Sequence, residues 1–466
     1  MTEISTFERE TLVAPDTGRK PKIVARLRDW EYLEHSLMRL LAAWGRHFPV
    51  WDDKVACHRH VWEQSECVQL LRDRLAHFPG TTGNLDTPVS PRLETLVNTV
   101  LQAPSHEDAI DGIYALLNGA LTTAYLTYGG RAHPVHDAPT LATLRQVLGF
   151  KNGLRLWLAE YRRRHPHVTD ETYKSAVEAQ IAACEGFHEA APLEKGESAA
   201  PCGVNTDFRL PKLLMRPQNT VPRHNLGPML EADFPFSIEA RRLFWAHGYM
   251  LEMMLAEDML RWVWAAHFMP WEYQKALARH LWDESRHGDS GMSRFLDFGI
   301  SLEEIGYGRW GDALREDGEP MEWAPNMTPQ ELYEQAFFIG MVAETGHFTV
   351  KNEAYNDFKA GGDLESAEMM LFDVIDEGAH VQYCHEWLPE LARRAGVDND
   401  HYRERAAQIR ADYQRKLHER VAKNSAVPRD ESNPDWRFYQ DLLARMRAQK
   451  PLLNAQSCPP RSWNPM

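Results

Sequence analysis

The sequence predicts an all-α protein built as two four-helix bundles in tandem, with additional helices and a Pro-rich linker. Three observations predict it. Apolar residues recur at three- and four-residue spacing along almost the whole chain, while alternating Val/Ile/Thr runs are nearly absent. A proline-rich stretch carrying Pro192, Pro201, Pro211, Pro217, Pro222, Pro228 and Pro235 separates the two halves. The halves also repeat one another. At an offset of 220 residues, 8 of the 19 positions from 47 to 65 become identical, against about one by chance.

Four helical stretches are expected between about 27 and 165, and a further one at 171–186. The second half should form helices at 237–267, 271–298, 329–359 and 364–394, then one at 399–423. Thr328-Pro-Gln-Glu331 reads as a capping box with proline at the first helical position. The expected domains are therefore 1–190, a linker at 191–236, a second bundle with an extra helix at 237–425, and a Pro-rich C-terminal tail at 426–466. In each half a long stretch separates the second helix from the third, at 77–105 and 299–327. A crossover of that length runs along the bundle and makes those two helices parallel.

The repeat pairs His47, Phe48, Trp51, Ala56, Arg59, His60, Trp62 and Ser65 with His267, Phe268, Trp271, Ala276, Arg279, His280, Trp282 and Ser285. Residues kept in both halves are expected to fix helix packing rather than chemistry.

At 466 residues and 43% apolar content the chain can bury a core in each of two domains. Its net charge of -15 is spread along the chain, which argues against a nucleic-acid partner. Cysteines at 57, 67, 184, 202, 384 and 458 form no Cys-x-x-Cys pair, and a reducing cytoplasm fits that pattern. The polar N-terminus carries no export signal, and no apolar run reaches the roughly 18 residues that would suggest a membrane span.

Chemistry concentrates in the second half. Glu284-Ser-Arg-His287 and Glu377-Gly-Ala-His380 each place a carboxylate and an imidazole one turn apart on a helix face. Two such chelating pairs, completed by single glutamates from the other helices, are what a di-metal carboxylate cage requires. Counting from the turn at Gly361-Gly362 puts Glu344 about 17 residues before it and Glu377 about 16 after, so the two should face each other. Counting from the turn near Phe268 to Pro270 favours Glu252 over Glu257, whose mismatch would displace it by about 5 Å. The carboxylates in AFFIGMVAETGHF and MMLFDVIDEGAHVQY lie among apolar residues, where they need a partner to offset desolvation.

This pattern of Glu252, Glu284/His287, Glu344 and Glu377/His380 on four successive helices, with a long crossover between the second and third, resembles the ferritin-like superfamily of di-iron carboxylate proteins. The match covers about 155 residues. The resemblance implies two ferritin-like bundles, the N-terminal one degenerate, and two iron ions held by Glu252, Glu284, His287, Glu344, Glu377 and His380. His347 and Glu257 stand as further candidate ligands. Manganese suits the same oxygen-rich ligands. Asp283 and Asp376, beside the ligands but on other faces, are expected to orient histidines or form salt bridges.

Under the same offset Glu284 becomes Gln64, His287 becomes Cys67 and Glu252 becomes Tyr32. No Asp or Glu occurs between Asp111 and Asp137, or from 138 to 159, so the first half lacks bridging carboxylates. Glu34, His35, His58 and His60 are accordingly read as structural or surface residues.

The implied function is a non-haem di-iron or Mn/Fe oxidoreductase that activates O2 to oxidise a small organic substrate. Hydroxylation, N-oxygenation, desaturation and bond cleavage all stay open. An electron donor is expected where turnover requires reduction, and a homodimer stays open. A ferroxidase or iron-handling protein, and a metal-dependent scaffold without turnover, are the competing readings.

Overall fold

The computed structural model describes residues 19–78, 85, 90–189, 208, 218–307, 326–424 and 426–452. Among them the regular structure is helical and contains no strand. Most of the expected linker, the crossover residues 79–84, 86–89 and 308–325, Cys202, Cys458 and the end of the tail lie outside the described residues. No described helix is long and apolar enough to cross a membrane.

Two compact units result. The first comprises residues up to Leu40 and Glu63–Phe208, and the second comprises Leu41–Trp62 and Arg209 onward. The end of the first helix and the start of the second thus group with the C-terminal unit, a division the linear boundary at 190 does not anticipate.

The first half contains α1 (Arg19–Gly45), α2 (Trp51–Ala76), α3 (Pro91–Leu101), α4 (His106–Ile110), a π-helical run (Asp111–Leu117), α5 (Asn118–Arg131), α6 (Ala138–Arg164) and α7 (Glu171–Ala183). Ser90 caps α3 with proline at its first position, and Asp170 caps α7 by accepting from the Tyr173 amide at 2.8 Å.

The second half contains α8 (Gly227–Asp233), α9 (Ile238–Ala265), α10 (Trp271–Asp297), α11 (Leu302–Ile305), α12 (Pro329–Phe337), a π-helical run (Phe338–Ala343), α13 (Glu344–Gly361), α14 (Leu364–Ala395), α15 (Tyr402–Asn424) and α16 (Pro434–Gln449). The capping box is present at Thr328, whose hydroxyl accepts from the Glu331 amide at 3.2 Å while the Glu331 carboxylate accepts from the Thr328 amide at 2.6 Å. Gly362, at φ +82°, ends α13, and Asp363 caps α14 immediately afterwards. The turn is therefore tight. α16 lies in the stretch read as a tail. Asn433 caps it ahead of Pro434, and Tyr439, Leu442, Leu443 and Met446 bury one face.

Side-chain pairs fix the directions of the four long segments. α9 and α10 are antiparallel and very close: a Cβ at Gly291 would stand 2.3 Å from the Met250 nitrogen, and one at Gly288 would stand 2.9 Å from that of Met253. Only glycine fits at Gly291. α10 and α14 are antiparallel, since Arg294 meets Asp363 at 3.1 Å and Asp283 meets His380 at 3.3 Å. α13 and α14 are antiparallel through Lys351 and Asp373 at 2.6 Å. The second and third long segments, α10 and α13, consequently run the same way, as a long crossover requires.

One end of this unit is held by buried guanidinium–carboxylate pairs: Arg241 with Asp357 at 2.5 Å, Arg242 with Asp363 at 2.6 Å, and Arg294 with Asp363. Beside them Phe234, Ile238, Trp245, Tyr249, Ala354, Phe358, Ala367 and Met370 form one apolar cluster. The repeat-related Trp62 and Trp282 stack on each other with centroids 6.5 Å apart, so these two matched residues do pack.

Candidate metal centre

On α10, His280, Glu284 and His287 fall at i, i+4 and i+7, and on α14 Asp373, Glu377 and His380 repeat that spacing. Each trio lies on one helix face. Two groups of ligand atoms converge from the helices: His280, Glu284, Glu344 and His380, all buried, and Glu252, His287 and Asp373.

In the first group, Glu344 Oε1 is 3.0 Å from His280 Nε2 and 3.3 Å from His380 Nδ1. The π-helical run Phe338–Ala343 immediately precedes Glu344, and such wider turns recur at functional sites. In the second group, His287 Nδ1 is 3.2 Å from Glu252 Oε2 and 3.4 Å from Asp373 Oδ1. Glu284 Oε1 joins the two, at 3.2 Å from His280 Nε2, 3.6 Å from His380 Nδ1 and 4.0 Å from His287 Nδ1. It lies between the two groups.

The outer faces of the imidazoles are fixed by other side chains. His380 Nε2 lies 3.3 Å from Asp283, His287 Nε2 lies 3.3 Å from Asp376, and His280 Nδ1 lies 2.7 Å from the Tyr383 hydroxyl. Each interaction leaves the opposite ring nitrogen facing the cluster, the arrangement that orients a metal-binding histidine. Arg279 and Arg286 in turn hold Asp283 and Asp376. Both contacts expected of the two aspartates, to a histidine and to an arginine, are present.

The inward-facing atoms are less well served. Among the described residues, both Glu344 oxygens, Asp373 Oδ1, Glu252 Oε2, His287 Nδ1 and His380 Nδ1 have no well-aligned hydrogen-bond partner although all are buried. Buried polar atoms in such numbers are costly unless something else satisfies them. A nitrogen and oxygen donor set of this composition suits a first-row divalent metal, so the residues fit such an ion.

Electrostatics follow from the crowding. Burial, opposed by the hydrogen bond to His287 and reinforced by the Glu284 charge, brings Glu252 up to about 7. Burial works against ionised His280, but Glu344 and Glu284 hold it up at about 10. Burial also works against charged Glu344, yet His280 and His380 keep it below the usual carboxylate range. Four carboxylates and three imidazoles crowd together here, and among the described residues the one lysine paired to any of them lies at Asp373.

That lysine is Lys351, buried between Asp373 and Glu377 and ion-paired to both. Glu377 is thereby turned to Lys351 and belongs to neither convergent group, whereas the levels counted from the turn set it opposite Glu344. Glu257, the alternative to Glu252, pairs instead with Lys54 at 2.9 Å and accepts from the Tyr307 hydroxyl at 3.2 Å. His347 is also outside both groups, and burial with the Lys351 charge brings its ring down to about 4.

His280, Asp373 and Lys351 were not singled out as site residues by sequence. The signal for the first two was the longer spacing His-x-x-x-Glu-x-x-His and Asp-x-x-x-Glu-x-x-His. His280 was assigned to packing because His60 matches it in the other half.

In the first unit, Glu34 is fully buried and ion-paired to Lys151, which also donates to Gln64 at 3.0 Å, while Tyr125 donates to Glu34 at 2.5 Å. An ammonium group supplies the positive charge there.

Compared with known proteins, the chain matches no family model, no curated sequence and no solved structure.

Proposed function

We propose that the C-terminal unit is a ferritin-like di-metal centre, iron first and manganese as the alternative, that uses O2 to oxidise a small organic substrate. The observation that carries this reading is Glu284 Oε1, set within 4.0 Å of three imidazoles that belong to two adjoining ligand groups. In this reading His280, Glu284, Glu344 and His380 would hold one ion, and Glu252, His287 and Asp373 would hold the other. Two redox-active ions held there would supply the electrons that reduce O2, with an external electron donor returning them to the divalent state where turnover requires it.

The chain's own side chains do the rest. Asp283, Asp376 and Tyr383 keep the imidazoles aimed inward, so little rearrangement is needed when the charge of the centre changes. Met250, Met253, Trp262 and Leu281 are buried on the helices that carry the ligands and exclude water. A cavity of about 430 Å³ lies beside α13, lined by Met341, Thr345, His385, Tyr402, Arg403 and Arg410. Thr345 follows Glu344 directly, and the cavity's volume suits a small organic molecule. The tandem arrangement belongs to the same proposal, the first bundle having exchanged its metals for Lys151.

Metal analysis tests the reading. Protein produced with iron and manganese both supplied should contain two ions per chain, and Glu284→Ala should lose most of both. Fewer than one ion per chain in the unaltered protein would overturn it. Addition of Fe(II) in air separates the competing class, because uptake should stop near two irons per chain without forming a mineral core.

A further inference from the structure

Lys351 is 2% exposed and has a carboxylate on each side: Asp373 Oδ2 at 2.6 Å and Glu377 Oε1, with its ammonium 5.3 Å from the centre of the Tyr249 ring. Asp373 is shared. Its Oδ2 faces Lys351 while its Oδ1 lies 3.4 Å from His287 Nδ1, within the second ligand group. Glu377 occupies the Glu-x-x-His position that the sequence marks as a ligand, yet its carboxylate is held by the same ammonium. By contrast, among the described residues no lysine pairs with a member of the first ligand group.

The first unit shows what this arrangement accomplishes. There the Lys151 ammonium sits against buried Glu34 and Gln64, while the Tyr125 hydroxyl donates to the other Glu34 oxygen. A buried ammonium can satisfy such a cage because it supplies charge and three donors at once.

We propose that Lys351 makes the two metal positions unequal: the His280, Glu284, Glu344 and His380 group takes one divalent cation tightly, and the Glu252, His287 and Asp373 group takes a second only when the Lys351 ammonium gives up Asp373 and Glu377. This rests on the di-metal reading and adds an order of loading to it. Two causes act together. The ammonium withholds two carboxylates from the second ion, and like charges in a buried site repel. Once displaced, Lys351 leaves Glu377 available to the second ion.

The test is titration of the metal-free full-length chain with Mn(II), followed by calorimetry and by electron paramagnetic resonance, which separates isolated Mn(II) from spin-coupled pairs. The unaltered chain should bind one Mn(II) and then a second at least about tenfold more weakly, with isolated-ion spectra up to one equivalent. Lys351→Met should bring the two affinities within about threefold of each other and produce coupled pairs below one equivalent. Lys351→Gln provides a second neutral side chain should Met impair folding, checked by circular dichroism, and the unaltered chain's own isotherm needs no variant. Two equally tight ions in the unaltered chain, or an unchanged gap in folded neutral variants, would overturn the role of Lys351 and leave the di-metal reading standing. Absence of binding of both Mn(II) and, under anaerobic conditions, Fe(II) would overturn both readings.

Discussion

The imidazoles of His280 and His380 stack face to face, with centroids 3.6 Å apart and planes 24° from parallel, and both present a nitrogen to Glu344 Oε1. Two rings from different helices meeting on one carboxylate oxygen make His280 equal in standing to His380. His280→Ala should therefore lower metal content as severely as His380→Ala, from two ions per chain to one or fewer, measured by elemental analysis. Retention of both ions in His280→Ala would return this residue to a packing role.

Lys54 and Glu257 form a buried pair with both side chains at most 1% exposed. Removing one partner of such a pair strands the other, at a cost of about 3–5 kcal/mol. Lys54→Met should lower the unfolding free energy from denaturant titration by that amount yet leave metal stoichiometry unchanged when the protein is folded. Loss of an ion from folded Lys54→Met would bring Glu257 back as a ligand.

Gly291 sets the approach of α9 to α10, and with it the meeting of Glu252 and His287. Gly291→Ala should destabilise by about 1–3 kcal/mol or more, because the new methyl meets backbone rather than a yielding side chain. Elemental analysis should show the second ion more affected than the first. Wild-type stability in this variant would mean that the helices separate freely.

Stability of the metal-free protein should peak near neutral pH. Burial pushes His58 and His60 down to about 3 and His247 to about 4. Each stays neutral when folded and takes up a proton when unfolded below about 6.5, so stability is lost as pH falls, by up to about 2 kcal/mol for each at pH 5. His280 acts in the opposite sense. Held up at about 10, it contributes fully below 6.5 and its contribution disappears as pH rises through about 10. Denaturant unfolding from pH 5 to 10 measures both slopes, and a flat profile would contradict them.

In the first unit, Lys151→Met leaves Glu34 buried without its ammonium and should cost about 3–5 kcal/mol, whereas Lys151→Met combined with Glu34→Gln should recover much of the loss. Strictly additive effects in that double-mutant cycle would show that the pair is not coupled.

The sequence by itself determined the all-helical fold, the main helices of the second half and the carboxylate–imidazole spacing on α10 and α14. These are local properties: helical periodicity, capping by Thr328 and the turn at Gly361-Gly362 act within a few residues, so a linear reading recovers them. Tertiary structure alone decided which atoms converge. Counting residues from a turn gives depth along a helix but not rotation about it, and rotation turned Glu377 to Lys351, Glu257 to Lys54, and His280 and Asp373 into the ligand groups. The repeat concealed His280 for a related reason: an identical residue in both halves reads as packing until the helices around each copy are assembled. Lys351 shows the limit most clearly, since a lysine in a helix is ordinarily solvated, and only four-helix packing buries this one between two carboxylates.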